Sequence, residues 1–140
     1  MSLIRNFNEL IKTPQRKVVL NIVSAGLQAT QPQIVVPGRI KLEPEKLWVG
    51  QASFDLNNFE RIQVVGFGKG AAAAAKELEK ILGEKISGGW VIDVARGEFK
   101  KIVAYQGTHP LVSDTNIRFT QEILNNLKNL TPKDMVLVVV

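Results

Sequence analysis

The sequence predicts an α/β domain with a mostly parallel sheet. From residue 61 to residue 140 it reads as strand, glycine turn, helix, strand, strand, helix and strand. Strands that alternate with helical segments favour a parallel sheet joined by crossover helices. With 140 residues and 45% hydrophobic content, the chain has room for one folded domain. We therefore expect a Rossmann-like, three-layer arrangement with helices on both faces of the sheet.

Two helices are predicted at the beginning of the chain. Residues 3–10 show weak helical periodicity, which indicates a short leading helix. Thr13 followed by Pro14 is typical of a helix start, because threonine caps the free amides and proline fits the first turn. An apolar stripe then extends the second helix to about Ala29.

The following segment, residues 33–60, is predicted to be irregular. Proline and glycine interrupt it repeatedly, and only residues 40–42 and 47–49 have the pattern of short strands. We expect residues 1–60 to be a helical and irregular segment wrapped around a Rossmann-like core of residues 61–140. Together they would form one partial domain, 1–140.

The strongest pattern of secondary structure begins at Arg61. Residues 62–65 form an apolar strand, residues 66–70 a glycine-rich turn, and a helix runs from about Gly70 to Leu82 before Gly83 ends it. Its first turns are the alanines Ala71–Ala75, which favour a helix and let it lie close to a sheet.

The rest of the chain completes the α/β order. Residues 88–94 and 101–105 are predicted strands, and residues 107–110 form a loop. Ser113 is expected to cap a helix that ends near Leu130, with four inward side chains: Ile117, Ile123, Leu124 and Leu127. The bare apolar run 135–140 predicts a fully buried last strand.

Composition excludes several classes of protein. The chain has no cysteine and one histidine, which excludes disulfides, thiolate zinc sites and multi-histidine metal sites. Six basic residues and one acidic residue fall within residues 1–41, whereas residues 42–140 carry twelve of each. The net charge of +5 therefore belongs to the first segment, and we expect neither a nucleic-acid partner nor a membrane partner. The sequence has no signal-peptide pattern, and we expect a cytoplasmic protein.

The turn after the first core strand is the main candidate site. Gly66, Gly68 and Ala71 satisfy the G-x-G-x-x-A dinucleotide pattern, and Asp93 ends the next strand where a ribose-binding acid would lie. The same residues also fit a tight turn that binds no ligand. Lys69 opposes the dipole of the helix that follows, which favours an anion nearby. His109 lies in a loop at the same predicted edge.

Several motifs together resemble the N-terminal region of the glycerate 2-kinase family, whose members were formerly described as hydroxypyruvate reductases. They are the run Ile62–Ala72, the helix end Leu78–Gly83, the approach Ile86–Gly89, and the loop Gly107–Pro110. The segments Leu47–Val49 and Phe54–Leu56 also fit, so the resemblance covers nearly all of the chain. Two positions depart from the family loop after Pro110, where Val112 and Ser113 replace a proline and an aspartate.

The resemblance implies a reaction and a set of site residues. The reaction is the ATP- and Mg²⁺-dependent phosphorylation of D-glycerate to 2-phosphoglycerate. Lys69 matches the active-site lysine of the family, His109 matches a loop position near the site, and Gly66 and Gly68 shape the turn. Gly70 stands where the family usually has an alanine. We expect substrate or phosphate binding at four residues: Gly66, Gly68, Gly70 and His109. No metal ligand can be named in this segment.

The resemblance also implies that the chain is an incomplete portion of the glycerate kinase N-terminal domain. In the family, a serine- and glycine-rich loop follows a strand like 135–140, so we expect a fragment that is inactive alone. An uncovered strand edge would favour a homodimer. Two alternatives stay open: an NAD(P)-dependent oxidoreductase similar to hydroxypyruvate reductase, and a non-catalytic anion-binding module.

Overall fold

The computed structural model describes residues 3–140. Its helices are α1 (Phe7–Leu10), α2 (Pro14–Ala29), α3 (Pro32–Arg39), α4 (Ala71–Leu82) and α5 (Asp114–Leu127). Its strands are β1 (Ile40–Leu42), β2 (Lys46–Val49), β3 (Ala52–Asp55), β4 (Arg61–Phe67), β5 (Gly88–Asp93), β6 (Ile102–Gln106) and β7 (Asp134–Val139).

The main sheet has four strands in the order β6-β5-β4-β7, and all three pairs are parallel. Counted along the chain, these strands lie in the order 3-2-1-4, which is that of the first four strands in a doubly wound sheet. The α/β prediction with a parallel sheet is confirmed. β4 lies at the centre, so the turn that follows it opens between two neighbouring strand ends.

The alanine-rich helix packs closely on the sheet, as the sequence predicts. Ala71 and Ala75 on α4 are almost fully buried, and they share one hydrophobic core with Val64 on β4 and Val91 on β5. Side chains alternate along a strand, so Ile92 faces the other side of the sheet, where it lines a cavity with residues of α5. Helices therefore flank both faces of the sheet.

Residues 33–60 contain more regular structure than predicted: the short strands expected at 40–42 and 47–49 are confirmed as β1 and β2, but the prediction that the rest is irregular was wrong. The segment contains α3 and a three-stranded antiparallel sheet in the order β1-β2-β3. Pro37 is one of the prolines that predicted an interruption, but it lies inside α3, where it lacks the amide that would donate to the Gln33 carbonyl one turn earlier. Val36 packs against the core, and Leu47 on β2 is fully buried within it. Tertiary burial stabilises elements that local sequence does not favour.

Two predictions of burial were also wrong. Of the four side chains expected to face inward from α5, Ile123 is buried, but Ile117 and Leu124 are half exposed. β7 is an edge strand rather than a fully buried one, and Val138 is 57% exposed. The same apolar pattern fits a buried strand and an edge strand, because periodicity does not report which neighbours are present.

An ion pair joins Arg61, the first residue of β4, to Asp134, the first residue of β7. The guanidinium of Arg61 donates from Nε to Oδ1 at 2.5 Å and from Nη2 to Oδ2 at 2.7 Å. The Thr131 amide donates to the same carboxylate at 2.7 Å. Arg61, together with the Thr131 amide, lowers the pKa of Asp134 well below its ordinary value. Because this lowering favours the ionised form, the contacts stabilise the fold when the carboxylate is charged.

The variant Asp134→Asn should therefore be less stable than the wild type at neutral pH. The difference in stability should stay constant from pH 8 down to about pH 5 and shrink below the ordinary pKa of 3.8. Below that pH the carboxyl group of the unfolded wild type is protonated, so an ionised Asp134 in the folded state favours folding less. Urea unfolding followed by circular dichroism at several pH values measures this. A stability difference that grew as the pH fell would contradict it.

Candidate active site

The candidate site is built on the turn between β4 and α4. Gly68 and Gly70 adopt positive φ angles of 102° and 89°, which side-chain-bearing residues rarely adopt. Gly66 needs its small size for another reason: a Cβ there would lie 2.8 Å from Val139 and 2.9 Å from Val91. The three glycines let the chain turn sharply over the sheet, and Lys69 lies at the exposed tip of this turn.

Asp93 fills the N-terminus of α4. Its Oδ2 accepts hydrogen bonds from the amides of Gly70 at 3.0 Å and Ala72 at 2.9 Å. Its Oδ1 accepts one from the Ala95 amide at 3.3 Å, and the residue is only 5% exposed. The Ala71 amide donates to Gly68 within the turn. Amides that would cradle a phosphate are thus satisfied within the protein.

This arrangement does not favour the dinucleotide alternative. In that alternative the pyrophosphate would lie on the amides at the start of α4, and Asp93 would bind a ribose hydroxyl. Here the Asp93 carboxylate itself occupies the start of the helix. In this chain the G-x-G-x-x-A pattern therefore forms a tight turn in which the carboxylate of Asp93 takes the place that a bound phosphate would have.

A cavity of about 370 Å³ lies beside the turn, at the carboxyl edge of the sheet. Gly68 and Lys69 line it from the turn, and His109 lines it from the loop after β6. The structure therefore brings together three of the predicted site residues. Gly66 lies buried near the end of β4, Gly70 is the N-cap of α4, and neither of them lines the cavity.

A hydrogen-bond network holds the loop that carries His109. The Thr108 amide donates to Asn116 Oδ1 at 3.0 Å, and the Asn116 side-chain amide donates back to the Thr108 carbonyl at 3.2 Å. Ser113 and Asn116 also form a capping box at the start of α5. The His109–Pro110 peptide bond is cis. These contacts fix the loop to α5, so that His109 is held beside the cavity.

Sequence reasoning missed the contribution of α5 to the cavity. Asn116, Thr120 and Gln121 line it with polar side chains, and Ile117 adds an apolar one. These residues follow one another at helical spacing on a single face of α5. A polar run of this kind is usual for a solvated helix surface, so no signal in the sequence distinguished it.

The charged groups at the cavity favour a small anion. Among residues 3–140, Lys69 is the one lysine or arginine that lines the cavity, and Asp93 is the one acid. Since Asp93 is engaged by backbone amides, the ammonium of Lys69 is the charged group available to a ligand. A small molecule with a carboxylate or phosphate fits this combination of one cation, neutral polar groups and a limited volume.

The residues at the cavity do not fit a Mg²⁺ ion. Magnesium prefers carboxylate oxygens, and both oxygens of Asp93 accept amide hydrogen bonds. Over the part of the chain that the structure describes, no three His, Cys, Asp or Glu side chains are grouped so that they could hold a metal. No catalytic step below is assigned to a metal held by these residues.

Fold and site together define an α/β domain with a lysine-bearing glycine turn and a small-molecule cavity at the carboxyl edge of a parallel sheet. The sequence also matches a known family over most of its length. The chain belongs to the family described as Domain of unknown function (DUF4147), which matches residues 18–140.

Two characterised relatives carry a kinase name. The chain is 27% identical to the glycerate 2-kinase of Picrophilus torridus over 141 aligned residues, which cover 99% of this chain and 32% of that protein. It is 29% identical to the glycerate kinase of Danio rerio, covering 85% of this chain and 26% of that protein. The chain therefore spans about a third or less of these relatives, and its resemblance to the N-terminal region of glycerate kinases is confirmed.

Solved structures share the fold. The crystal structure of the PH0495 protein from Pyrococcus horikoshii OT3 matches with a TM-score of 0.72 at 23% identity, covering 91% of this chain and 29% of that one. The glycerate kinase of Thermotoga maritima matches with a TM-score of 0.68 at 25% identity, covering 89% of this chain and 27% of that one.

No helix within residues 3–140 is both long and apolar enough to span a membrane.

Proposed function

We propose that this chain forms the lysine-bearing part of an ATP-dependent glycerate kinase that converts D-glycerate to 2-phosphoglycerate. The observation that carries the proposal is the position of Lys69. It lies at the tip of a glycine turn and lines a cavity of about 370 Å³ shared with His109. The kinase names of the characterised relatives support the same reading.

In the proposed reaction, the 2-hydroxyl oxygen of D-glycerate forms a bond with the γ-phosphorus of ATP. The bond from that phosphorus to the β,γ-bridging oxygen breaks, ADP leaves, and the hydroxyl proton is released. Such a transfer depends mainly on positioning and on neutralising the charge of the moving phosphoryl group. Lys69 is assigned the second task, since its ammonium is the free cation at the cavity.

The other groups at the cavity are assigned to binding. D-Glycerate offers a carboxylate and two hydroxyls, and Asn116, Thr120 and Gln121 offer neutral donors and acceptors on one side. His109 approaches from the opposite loop and is assigned to substrate or phosphate binding. Gly66, Gly68 and Gly70 shape the turn, so their role is to place Lys69.

The test is a product assay on the protein encoded by the complete reading frame that contains this chain. With D-glycerate, ATP and Mg²⁺, we expect the phosphorus NMR signal of 2-phosphoglycerate to appear as ATP is consumed. L-Glycerate under the same conditions is the matched control and should react more slowly.

A second assay addresses the oxidoreductase alternative. The same protein, given hydroxypyruvate and NADH or NADPH, should leave the absorbance of the reduced nicotinamide at 340 nm unchanged. Consumption of the nicotinamide, with no phosphorylation of glycerate, would contradict the proposal and favour the alternative.

A further inference from the structure

The geometry points to Asp93 as a positioning residue for this reaction: it holds both the Lys69 turn and the His109 loop in the orientation that faces the cavity. This inference rests on the proposed function, because it concerns how Lys69 is presented to the substrate. Asp93 was predicted only as a ribose-binding acid. In the structure its side chain accepts hydrogen bonds from three backbone amides.

The first contact fixes the backbone of Lys69 itself. The amide of Gly70 belongs to the peptide unit that begins at the Lys69 carbonyl, and it donates to Asp93 Oδ2 at 3.0 Å. Gly68 and Gly70, on either side of the lysine, both have positive φ angles, and a residue without a side chain restricts its own backbone least. The orientation of the lysine therefore depends on the bonds that hold this turn to the rest of the protein.

The other bonds of the turn are made by the backbone. The Ala71 amide donates to the Gly68 carbonyl at 3.2 Å and the Ala74 amide to the Gly70 carbonyl at 2.9 Å, and both bonds stay within the turn and the start of α4. The Gly68 amide donates to the Ile92 carbonyl of β5 at 3.3 Å, but the two bonds to Asp93 are shorter than this one, and their charged carboxylate acceptor makes them stronger. Asp93 is thus the main link between the lysine turn and β5.

The second contact links the same residue to the histidine loop. The Asp93 carbonyl accepts a hydrogen bond from the Gly107 amide at 2.8 Å, two residues before His109. Asp93 and Gln106 are also register partners at the ends of β5 and β6. One buried residue therefore connects the two loops that line the cavity from opposite sides. A shift of Asp93 would displace Lys69 and His109 together.

We expect Asp93→Asn to lower kcat/KM for D-glycerate by about 10- to 100-fold in the full protein, since misplacing a catalytic group by about 1 Å can slow a reaction 100-fold. Asparagine keeps the size of the side chain. However, its one oxygen is uncharged, so its bonds to the Gly70 and Ala72 amides are weaker, and its NH₂ group cannot accept the bond from the Ala95 amide. In the 140-residue chain, NMR hydrogen exchange should show faster exchange of these two amides.

Glu79→Gln is the matched control. Glu79 is also a buried carboxylate, on α4 itself, and it accepts hydrogen bonds from the backbone amides of Lys100 and Lys101 at 2.8–3.1 Å. It does not line the cavity. We expect Glu79→Gln to lower stability but to leave kcat/KM for D-glycerate within about twofold of the wild type, measured at a temperature where both variants are folded.

A double-mutant cycle with Lys69→Ala separates positioning from a general structural effect. If Asp93 acts through Lys69, Asp93→Asn should reduce kcat/KM much less in the Lys69→Ala protein than in the wild type. If the reductions in kcat/KM caused by Asp93→Asn and Lys69→Ala simply multiply in the double variant, the inference is wrong. Unchanged hydrogen exchange of the Gly70 and Ala72 amides in Asp93→Asn would also overturn it. A wild-type protein that phosphorylates no glycerate would instead contradict the proposed function, and this inference with it.

Discussion

Replacing Lys69 by alanine should lower kcat/KM for D-glycerate by about 10²- to 10³-fold, the usual effect of removing one group that stabilises charge in a transition state. Within residues 3–140, Lys69 is the one lysine or arginine at the cavity, and its side chain is exposed rather than packed into the core. The variant should therefore be impaired in catalysis or substrate binding, while its thermal unfolding midpoint stays nearly unchanged. Steady-state kinetics and a thermal melt of the same preparation measure the two effects.

Lys85→Ala is the matched control for this variant. Lys85 is also exposed, but it follows the opposite end of α4, away from the cavity. Removing it changes the net charge by the same amount as removing Lys69, so any general effect of charge on substrate attraction appears in both variants. If Lys69→Ala and Lys85→Ala had the same kcat/KM for D-glycerate, Lys69 would have no particular role in the reaction.

Gly89→Ala should strongly destabilise the sheet, with an expected loss of about 3 kcal/mol in the free energy of unfolding. A methyl group at Gly89 would overlap the carbonyl oxygen of Val64 and lie 3.0 Å from the Val64 amide nitrogen. Both atoms are backbone of the central strand β4, so they cannot move aside without disturbing the β4–β5 pairing. Urea unfolding monitored by circular dichroism measures the loss.

The neighbouring glycine supplies the control. A methyl group at Gly88 has the Lys101 carbonyl oxygen, 3.9 Å away, as its nearest neighbour, which is an ordinary contact. Gly88→Ala should change the free energy of unfolding by about 0.5 kcal/mol or less. If the two variants were equally stable, close approach of β4 and β5 at Gly89 would not be the reason for a glycine there.

The regular core was predictable because local pattern and tertiary structure agree there. The Thr13–Pro14 start of α2 is confirmed, and the Thr13 hydroxyl accepts a bond from the Arg16 amide at 3.2 Å. The alanines of α4 indicated a helix close to the sheet, and the structure places it there. Each of these signals depends on neighbours within a few residues in the sequence, so the sequence alone is sufficient to find them.

The misplaced elements are those whose stability comes from distant residues. Pro37 argued against a helix, yet α3 forms beside α4, and Val36 packs against the core. Ile117 and Leu124 have the periodicity of inward residues, yet they are half exposed on α5. Which side of an amphipathic helix is covered depends on what packs against it, and that information is not local.

The candidate site also has one part that local sequence predicted and another part that depends on distant residues. The sequence by itself determined the glycine turn, the lysine at its tip, and the loop that carries His109, because each follows from residue types at short spacing. Only the tertiary structure decided that Asp93 fills the start of α4, and that Asn116, Thr120 and Gln121 complete the cavity. Asp93 lies 21 residues from the Ala72 amide that it binds. A contact of that kind is created only when parallel strands bring their carboxyl ends to one edge, which is why the sequence indicated Lys69 as a candidate but not the bonds between Asp93 and the start of α4.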